Sequence, residues 1–321
     1  MDAPRSAKGA PRTELEELLL SVRKDLVRRE ESPSGEWVEE TARELWTGAR
    51  PGWYFPASEG GGVAFYARRG AEAYGHVHAG EGTDRVARAT RLGDSLLDGL
   101  PREIVSANLG FTGIDGADER ACAEALGARP GSTVIRRQSM ERPLSAADGG
   151  AAPPLPEGLE GIPVRDVTVD ALADLDRRAF EGTADAFLLG AGLEGYREVL
   201  GSMLEGRLGR FVDEASVALV ERSPVRLAAA VLTTEQSIRR AVLVDLMVDP
   251  ERRRHGLGRY LVTWVLRALW ALGYESVRLW VTEANTAARG LYGEFGFRSI
   301  GDAVIYRWDR TGSPAQAQPG R

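Results

Sequence analysis

The 321-residue chain has a single cysteine, Cys122, so it can form no intrachain disulfide and cannot build a structural zinc site of the cysteine type. Long apolar runs are missing too. The longest, at 227–233 and 242–248, have the length of a strand and fall far short of the ~20 residues that cross a bilayer. No apolar segment follows the basic residues of the opening MDAPRSAKGAPR, which argues against a secretory signal. A cytoplasmic protein with no membrane segment is therefore expected. Lysine is nearly absent: Lys8 and Lys24 are the only two among 41 basic residues. Those 41 face 47 acidic residues, a net charge of −6, which argues against a nucleic-acid footprint over the whole protein while leaving room for local basic stretches such as 252–259. With 38 glycines and 16 prolines, the composition also excludes collagen and low-complexity disorder as the main architecture.

At this length two domains are expected. Residues 145–161, SAADGGAAPPLPEGLEG, show no hydrophobic periodicity and concentrate proline, glycine and alanine, as a linker does. Residues 1–12 and 311–321 are small and polar and read as tails, which places the domains at 13–144 and 162–310. In the second domain, strands are predicted at 162–169, 216–221, 226–234 and 239–248, the last three as a meander. Helices from about 170 and at 196–208 separate the first strand from the meander. Beyond Asp249-Pro250, Leu261, Val265, Leu266 and Leu269 repeat at helical spacing until Gly273. Val277, Leu279 and Val281 alternate with Arg278, Trp280 and Thr282 in a half-buried strand. Asn285 can cap a helix running to about 294, and a strand returns over 297–308. This order predicts an α/β domain with a mixed sheet.

The first domain reads as helices at 13–31 and 36–47, a hairpin of 62–68 with 71–79, and a helix at 83–100. A strand at 103–109, a helix at 118–126 and a strand at 132–142 follow. A faint repeat links the halves at an offset of 169, bringing CAEALGARPGSTVIRRQS (122–139) onto LYGEFGFRSIGDAVIYRW (291–308). His76 and His78 share one face of a strand, but no third ligand accompanies them, so two alternating histidines on a partly exposed strand are expected and no metal.

The sharpest chemical signal is VDPERRRHGLGR, residues 248–259, between an apolar strand and an amphipathic helix. Gly256 and Gly258 allow a tight turn and close approach of backbone to a ligand. A helix starting there points free N–H groups and its positive end outward, and the arginines add potential. The combination suits a di- or polyphosphate. Within the neighbouring apolar strand, Asp245 is the one ionisable side chain, and a desolvated carboxylate there would have the raised pKa that suits a base. Glu283 and Glu235 compete for that role.

Arg253-Arg254-His255-Gly256-Leu257-Gly258 resembles the [R/Q]-x-x-G-x-[G/A] pyrophosphate loop of the GNAT acyl-CoA-dependent N-acyltransferases. The preceding LMVDP, and downstream Leu279, Val281, Asn285, Ala288, Leu291, Tyr292 and Gly296-Phe297, are similar to that family's order and spacing over about sixty residues. The resemblance implies two tandem GNAT-like domains, each a mostly antiparallel sheet flanked by helices, similar in outline to mycothiol synthase, whose substrate is not carried over. It implies acetyl-CoA, or another acyl-CoA, as co-substrate, without a metal. Backbone N–H groups from Arg254 to Arg259 would hold the pyrophosphate. The splayed strand edge at Leu246, Met247 and Val248 would bind the pantetheine, with Asn285 and Ala288 beside it. Tyr292 would be the general acid that protonates the leaving thiolate, and a small-molecule or peptide amine would be the acceptor. At offset 169, Tyr292 falls on Ala123 and Arg253–Gly258 on DRVARA (84–89), so the first copy has lost the motif and with it the expected coenzyme site. A fused copy makes a monomeric pseudo-dimer as reasonable as a homodimer. Two rival readings remain: a non-catalytic acyl-CoA-binding module, and a thioester decarboxylase on the same fold.

Overall fold

The computed structural model describes residues 3–28, 36–114, 116–151, 153–183, 185–186, 192–207, 209–222 and 225–310. The chain divides into two compact units, one of Met1–Arg136 with Ala303–Arg321, the other of Arg137–Asp302.

In chain order the first half forms β1 (Arg5–Ser6), α1 (Arg12–Arg28), α2 (Trp37–Thr47), β2 (Gly52–Phe55), β3 (Gly62–Arg69) and β4 (Glu72–Ala79). Then come α3 (Arg85–Asp98), β5 (Ser106–Thr112), α4 (Gly116–Gly127) and β6 (Ser132–Pro143). In the first unit the sheet is buried on both faces. Leu15, Leu18, Leu19 and Val22 recur at helical spacing along α1 and pack with α2 on Tyr54, Val63 and Phe65. The alternate residues Phe55, Ala64 and Tyr66 point the other way, onto α3 and α4.

The second half forms β7 (Leu159–Pro163), α5 (Val169–Phe180), α6 (Gly192–Leu204), β8 (Arg210–Phe211), β9 (Val217–Arg222), β10 (Val225–Ser237) and β11 (Arg240–Val248). It ends with α7 (Leu257–Ala271), β12 (Ser276–Thr282), α8 (Thr286–Glu294) and β13 (Arg298–Asp309). In the second unit α7 and α8 cover one face of the sheet, burying Leu261, Val265, Leu266 and Leu269 on Leu243 and Leu279. On the opposite face α5 packs Leu172, Leu175 and Ala179 on Ala230, Leu232 and Met247. Each fully buried side chain of this size stabilises by about 1.5–3 kcal/mol relative to exposure.

Each unit is completed by a strand from the other half of the chain. Residues 137–143 of β6 pair antiparallel with β12 in the second unit, from Thr282↔Arg137 to Ser276↔Pro143. In the first unit, 306–309 of β13 pair with 106–109 of β5. There Tyr306 is wholly buried and its hydroxyl meets that of Ser132.

A single contrast between the units decides where a ligand fits. In the first, β4 and β5 run parallel and stay paired at seven positions, from Glu72↔Ser106 to His78↔Thr112. The corresponding strands of the second, β11 and β12, pair at three positions and part beyond Val242↔Arg278. The open edge of β11 therefore begins at Leu243.

Most element boundaries lie close to those read from the sequence, with two informative differences. The strand expected at 162–169 is β7, drawn earlier because Leu159–Pro163 pairs with β9. Residues 164–166 turn instead, and Thr168 caps α5 by accepting from the Ala171 N–H at 3.2 Å. The strand expected at 103–109 is β5, displaced because the chain first turns at Pro101, whose carbonyl accepts from the Ile104 N–H. Residues 29–31 of the expected first helix lie outside the described residues, as do the 311–321 tail and the first two residues.

Candidate active site

All of the site lies within the second unit. Asp249 directly follows β11 and is fully buried. It accepts from the Glu251 N–H at 3.0 Å, from Arg226 at 2.8 Å and from Arg178 at 3.1 Å. Burial works to raise its pKa, but these donors hold the carboxyl below its usual range. That anchor starts a 3-10 turn, Pro250–Arg252, after which the backbone enters the left-handed region at Arg254 (φ 67°) and Gly256 (φ 80°). Glycine takes that conformation freely; at Arg254 it is a strained choice that the surroundings impose. Gly256 caps α7. Among the described residues, the backbone N–H groups of 254–259 find no protein acceptor until Tyr260 donates to Gly256. Six consecutive free donors at the head of a fifteen-residue helix make an anion cradle.

A cleft of about 850 Å³ opens above this cradle. Leu246 and Val248 from the open edge of β11, the loop from Arg252 to Arg254, and the α7 start form one side. Asn285, Ala288 and Leu291 from α8 form the other, and Phe180, Thr183 and Asp185 close one end. Of the sequence-predicted residues, Arg253, Arg254, Gly256, Leu257, Gly258, Arg259, Leu246, Val248, Asn285 and Ala288 all meet here. Arg252 pairs with Glu221, Arg253 donates to the Ala179 carbonyl and Arg259 pairs with Glu294. Most of the positive charge is thus already committed to holding the loop.

Other predicted residues stand behind the lining. His255 turns its Nδ1 to the Arg253 carbonyl at 2.8 Å and is exposed outside the cleft. Met247 is buried against α5. Asn285 is occupied at both ends: its carbonyl oxygen caps α8 at Ala288 (3.1 Å) and its amide donates to Asp185 at 3.0 Å. Tyr292 is 7% exposed and packs its ring on Phe297, with centroids 5.6 Å apart. Burial, then the charges of Asp245 and Asp185, raise its pKa, so the phenol keeps its proton at neutral pH.

Asp245 is also 7% exposed. It owes its aim to a β-bulge: Leu232 pairs with Asp245 but the next residue, Thr233, pairs with Leu243, so Val244 is extra. The bulge turns Asp245 and Met247 to the α5 face, leaving Leu246 and Val248 on the α7 face. Burial, opposed by a hydrogen bond from the Leu246 N–H and reinforced by Asp185, pushes its carboxyl up to about 7. Of its competitors, Glu235 is engaged with Arg210 and Tyr274 and held below its usual range despite partial burial. Glu283 follows the end of β12, and its backbone carbonyl accepts from Arg289 at 3.2 Å.

Three residues that sequence reasoning missed join this group. Asp185, after α5, accepts from Thr282 and Asn285. Arg137 comes from β6, strand-paired to Thr282, and donates to the Trp280 carbonyl at 3.0 Å, while its Nε has no partner among the described residues. Burial pushes its pKa down, against the charges of Asp185, Asp245 and Tyr292. Asp176 on α5 is fully buried. Only Asp176 left a trace in the sequence, as a charge on the apolar stripe of Leu172, Ala173 and Ala179.

At the matching place the first unit holds a smaller pocket of about 290 Å³, lined by His78 and Ala79 at the end of β4, Glu81, Arg85 at the start of α3, and Gly113. The stretch at 84–89 begins α3, and Arg88 turns back to donate to the Gly80 and Glu81 carbonyls at 2.8 and 2.9 Å. The guanidinium is thus committed to the carbonyls of the loop between β4 and α3. His76 and His78 both meet the Thr112 hydroxyl, at 2.8 and 2.9 Å. His78, expected on a partly exposed strand, is 1% exposed, and burial lowers its pKa to about 4. Among the described residues no cluster of three His, Cys, Asp or Glu could hold a metal, and no helix is long and apolar enough to cross a membrane.

The loop, the parted strands and the helix start lie inside a segment, residues 185–297, that matches the profile of the Acetyltransferase (GNAT) family. This segment is a GNAT acetyltransferase domain. Over 60 residues the chain is 48% identical to mycothiol acetyltransferase of Thermobispora bispora, which is 19% of this chain and 20% of that protein. It is 32% identical over 96 residues to human N-acetyltransferase 8B, covering 29% of this chain and 42% of the relative. It is 36% identical over 79 residues to the [ribosomal protein bS18]-alanine N-acetyltransferase of Escherichia coli, covering 25% and 51%. The chain thus spans between a fifth and about half of the length of these relatives. Among solved structures, a GCN5-related N-acetyltransferase from Sphaerobacter thermophilus superposes with a TM-score of 0.59 at 16% identity, covering 98% of this chain and 96% of that one. A tandem GNAT protein from the clavulanic acid biosynthesis pathway gives 0.54 at 16% identity, covering 97% and 98%. The fold is therefore two tandem GNAT-like domains.

Proposed function

We propose that the chain is an acyl-CoA-dependent N-acyltransferase, acetyl-CoA being the expected donor, with its working site in the second unit. The observation that carries this reading is the parting of β11 from β12 above six free backbone N–H groups. The open strand edge offers extended backbone to an amide-bearing arm, and the helix start offers donors to a diphosphate. The residues present fit that donor: Gly258 faces the cleft, and a Cβ there would approach Leu291 to 3.2 Å.

The thioester supplies the acyl group. Asp245, with its pKa near 7, accepts the proton of the attacking amine, while Arg137 offsets the charge that this corner of the site accumulates. Tyr292 holds a proton to deliver to the departing thiolate. The acceptor is an amine of a small molecule or a peptide; the relatives named above include both kinds. The first unit, with its strands zipped together and Arg88 on its loop carbonyls, serves as scaffold and binds no coenzyme.

Calorimetric titration with acetyl-CoA tests the assignment. One site per chain, abolished by Gly258→Asp, supports it. Two sites would overturn the reading of the first unit, and no binding would remove the donor. Release of free thiol that depends on an added amine separates transfer from a binding module. Release of carbon dioxide without an amine would favour the decarboxylase.

A further inference from the structure

Asp176 is out of keeping with its surroundings. It lies on the face of α5 that buries Leu172, Leu175 and Ala179 against Leu232 and Met247. It is 0% exposed, and among the described residues neither carboxyl oxygen receives a hydrogen bond from a donor. An ionised carboxyl without a donor is costly in such a place, because nothing replaces the lost hydration. A protonated one needs only an acceptor for its hydrogen. The facing strand offers one: Asp245 is cross-strand from Leu232, on the face that α5 covers, and is the charged group that bears on Asp176. Other charged groups nearby are directed elsewhere. Arg178 reaches Asp249 and Asp174, Arg197 of α6 reaches Asp170, and Asp185 accepts from Thr282 and Asn285. Arg137 and Tyr292 act on Asp245 from β6 and α8.

We propose that Asp176 donates a hydrogen bond to Asp245 and thereby orients the carboxylate that takes the amine proton. Asp176 is then a positioning residue. Burial, with the neighbouring Asp245 charge, pushes its pKa up to about 10, which keeps the donor hydrogen in place throughout the range in which Asp245 ionises near 7. During transfer the amine nitrogen bonds to the acyl carbon, the carbon–sulfur bond breaks, the amine proton passes to Asp245, and the thiolate takes its proton from Tyr292. The Asp176 hydrogen stays in the pair. The inference rests on Asp245 being the base, and the two can fail separately.

The test uses infrared difference spectra of the full chain in heavy water at about pH 8, above the range where Asp245 titrates. The band of a protonated carboxyl is expected in the wild type, lost in Asp176→Asn and displaced in Asp245→Asn. Absence of that band, or a band that Asp245→Asn leaves in place, overturns the pairing. A second measurement needs no spectroscopic assignment. The folded chain retains a proton that unfolded Asp176 releases above its ordinary pKa of 3.8, so wild-type stability falls as pH rises between 3.8 and about 10. Asp176→Asn lacks this loss. Its unfolding constant should therefore improve on the wild type by up to about tenfold per pH unit between about pH 5 and 8. A pH-independent difference would refute the protonated state. The base assignment is read apart from these, by thiol release from acetyl-CoA with a peptide carrying a free N-terminal amine. Activity surviving in Asp245→Asn removes the base while the spectra still judge the pair.

Discussion

Replacing Asp249 by alanine should weaken both the fold and the cradle. Its buried carboxyl takes one backbone donor, which caps the 3-10 turn, and two guanidinium groups. Loss of a cap costs about 1 kcal/mol, and hydrogen bonds to charged groups are worth about 1.5–3 kcal/mol each. Part of that is recovered, since Arg226 keeps Glu251, Arg178 keeps Asp174, and both are partly solvated. A net loss of about 2–4 kcal/mol remains, which corresponds to a drop of roughly 5–15 °C in the melting temperature of a unit this size. Scanning calorimetry reads it directly. The loop that Asp249 anchors leads into the free N–H groups, so the acetyl-CoA dissociation constant should rise about tenfold, equivalent to ~1.4 kcal/mol. The pH dependence adds a check on sign. The folded pKa is depressed, so the contribution is present above the unfolded value of 3.8 and disappears as pH falls through the folded one. The gap between wild type and Asp249→Asn should accordingly close below about pH 4. A melting temperature within about 2 °C of wild type for the alanine variant, or a gap that persists in acid, would refute this account of the loop.

Three further outcomes follow from the same geometry. Gly258→Asp adds a negative charge beside the helix start, which suits the helix dipole but not a diphosphate; stability should hold while acetyl-CoA affinity falls at least about tenfold, and unaltered affinity in calorimetry would remove the cradle assignment. Tyr292→Phe should lower the turnover rate by a factor on the order of 10² while leaving coenzyme affinity within about twofold; an unchanged rate would end the general-acid role. Because Asp245 must lose its proton to act, and burial raises its pKa to about 7, kcat/KM should climb with pH and level off above that value. Asp245→Asn should flatten the rise in a pH–rate profile, and a wild-type profile without that limb would count against the base.

The elements of the second unit were legible because their signals are local. Helical spacing at 261, 265, 266 and 269, alternation at 277–281 and the Asn285 cap each survive as α7, β12 and the start of α8. The turn into α7 was legible for the same reason: a proline, two glycines and a helix start within twelve residues dictate backbone direction wherever they occur. The carboxylate chemistry was not. Asp245 could be noticed as a charge in an apolar strand, but its aim depends on the extra Val244, which shows only when β10 and β11 are set in register. Arg137 carries no signal in its own strand; it matters because β6 leaves the half of the chain it was read with and pairs with β12.

By itself the sequence determined the order of elements, the tight turn and helix start at 254–259 and the absence of that motif at 84–89, since each depends on residues close along the chain. The tertiary structure alone decided that β11 and β12 part while β4 and β5 do not, that the last strand of each half completes the other unit, and that Asp176, Asp185 and Arg137 gather about Asp245. Those outcomes turn on strand register and on the desolvation of charges by distant segments, and neither quantity exists until the chain has folded.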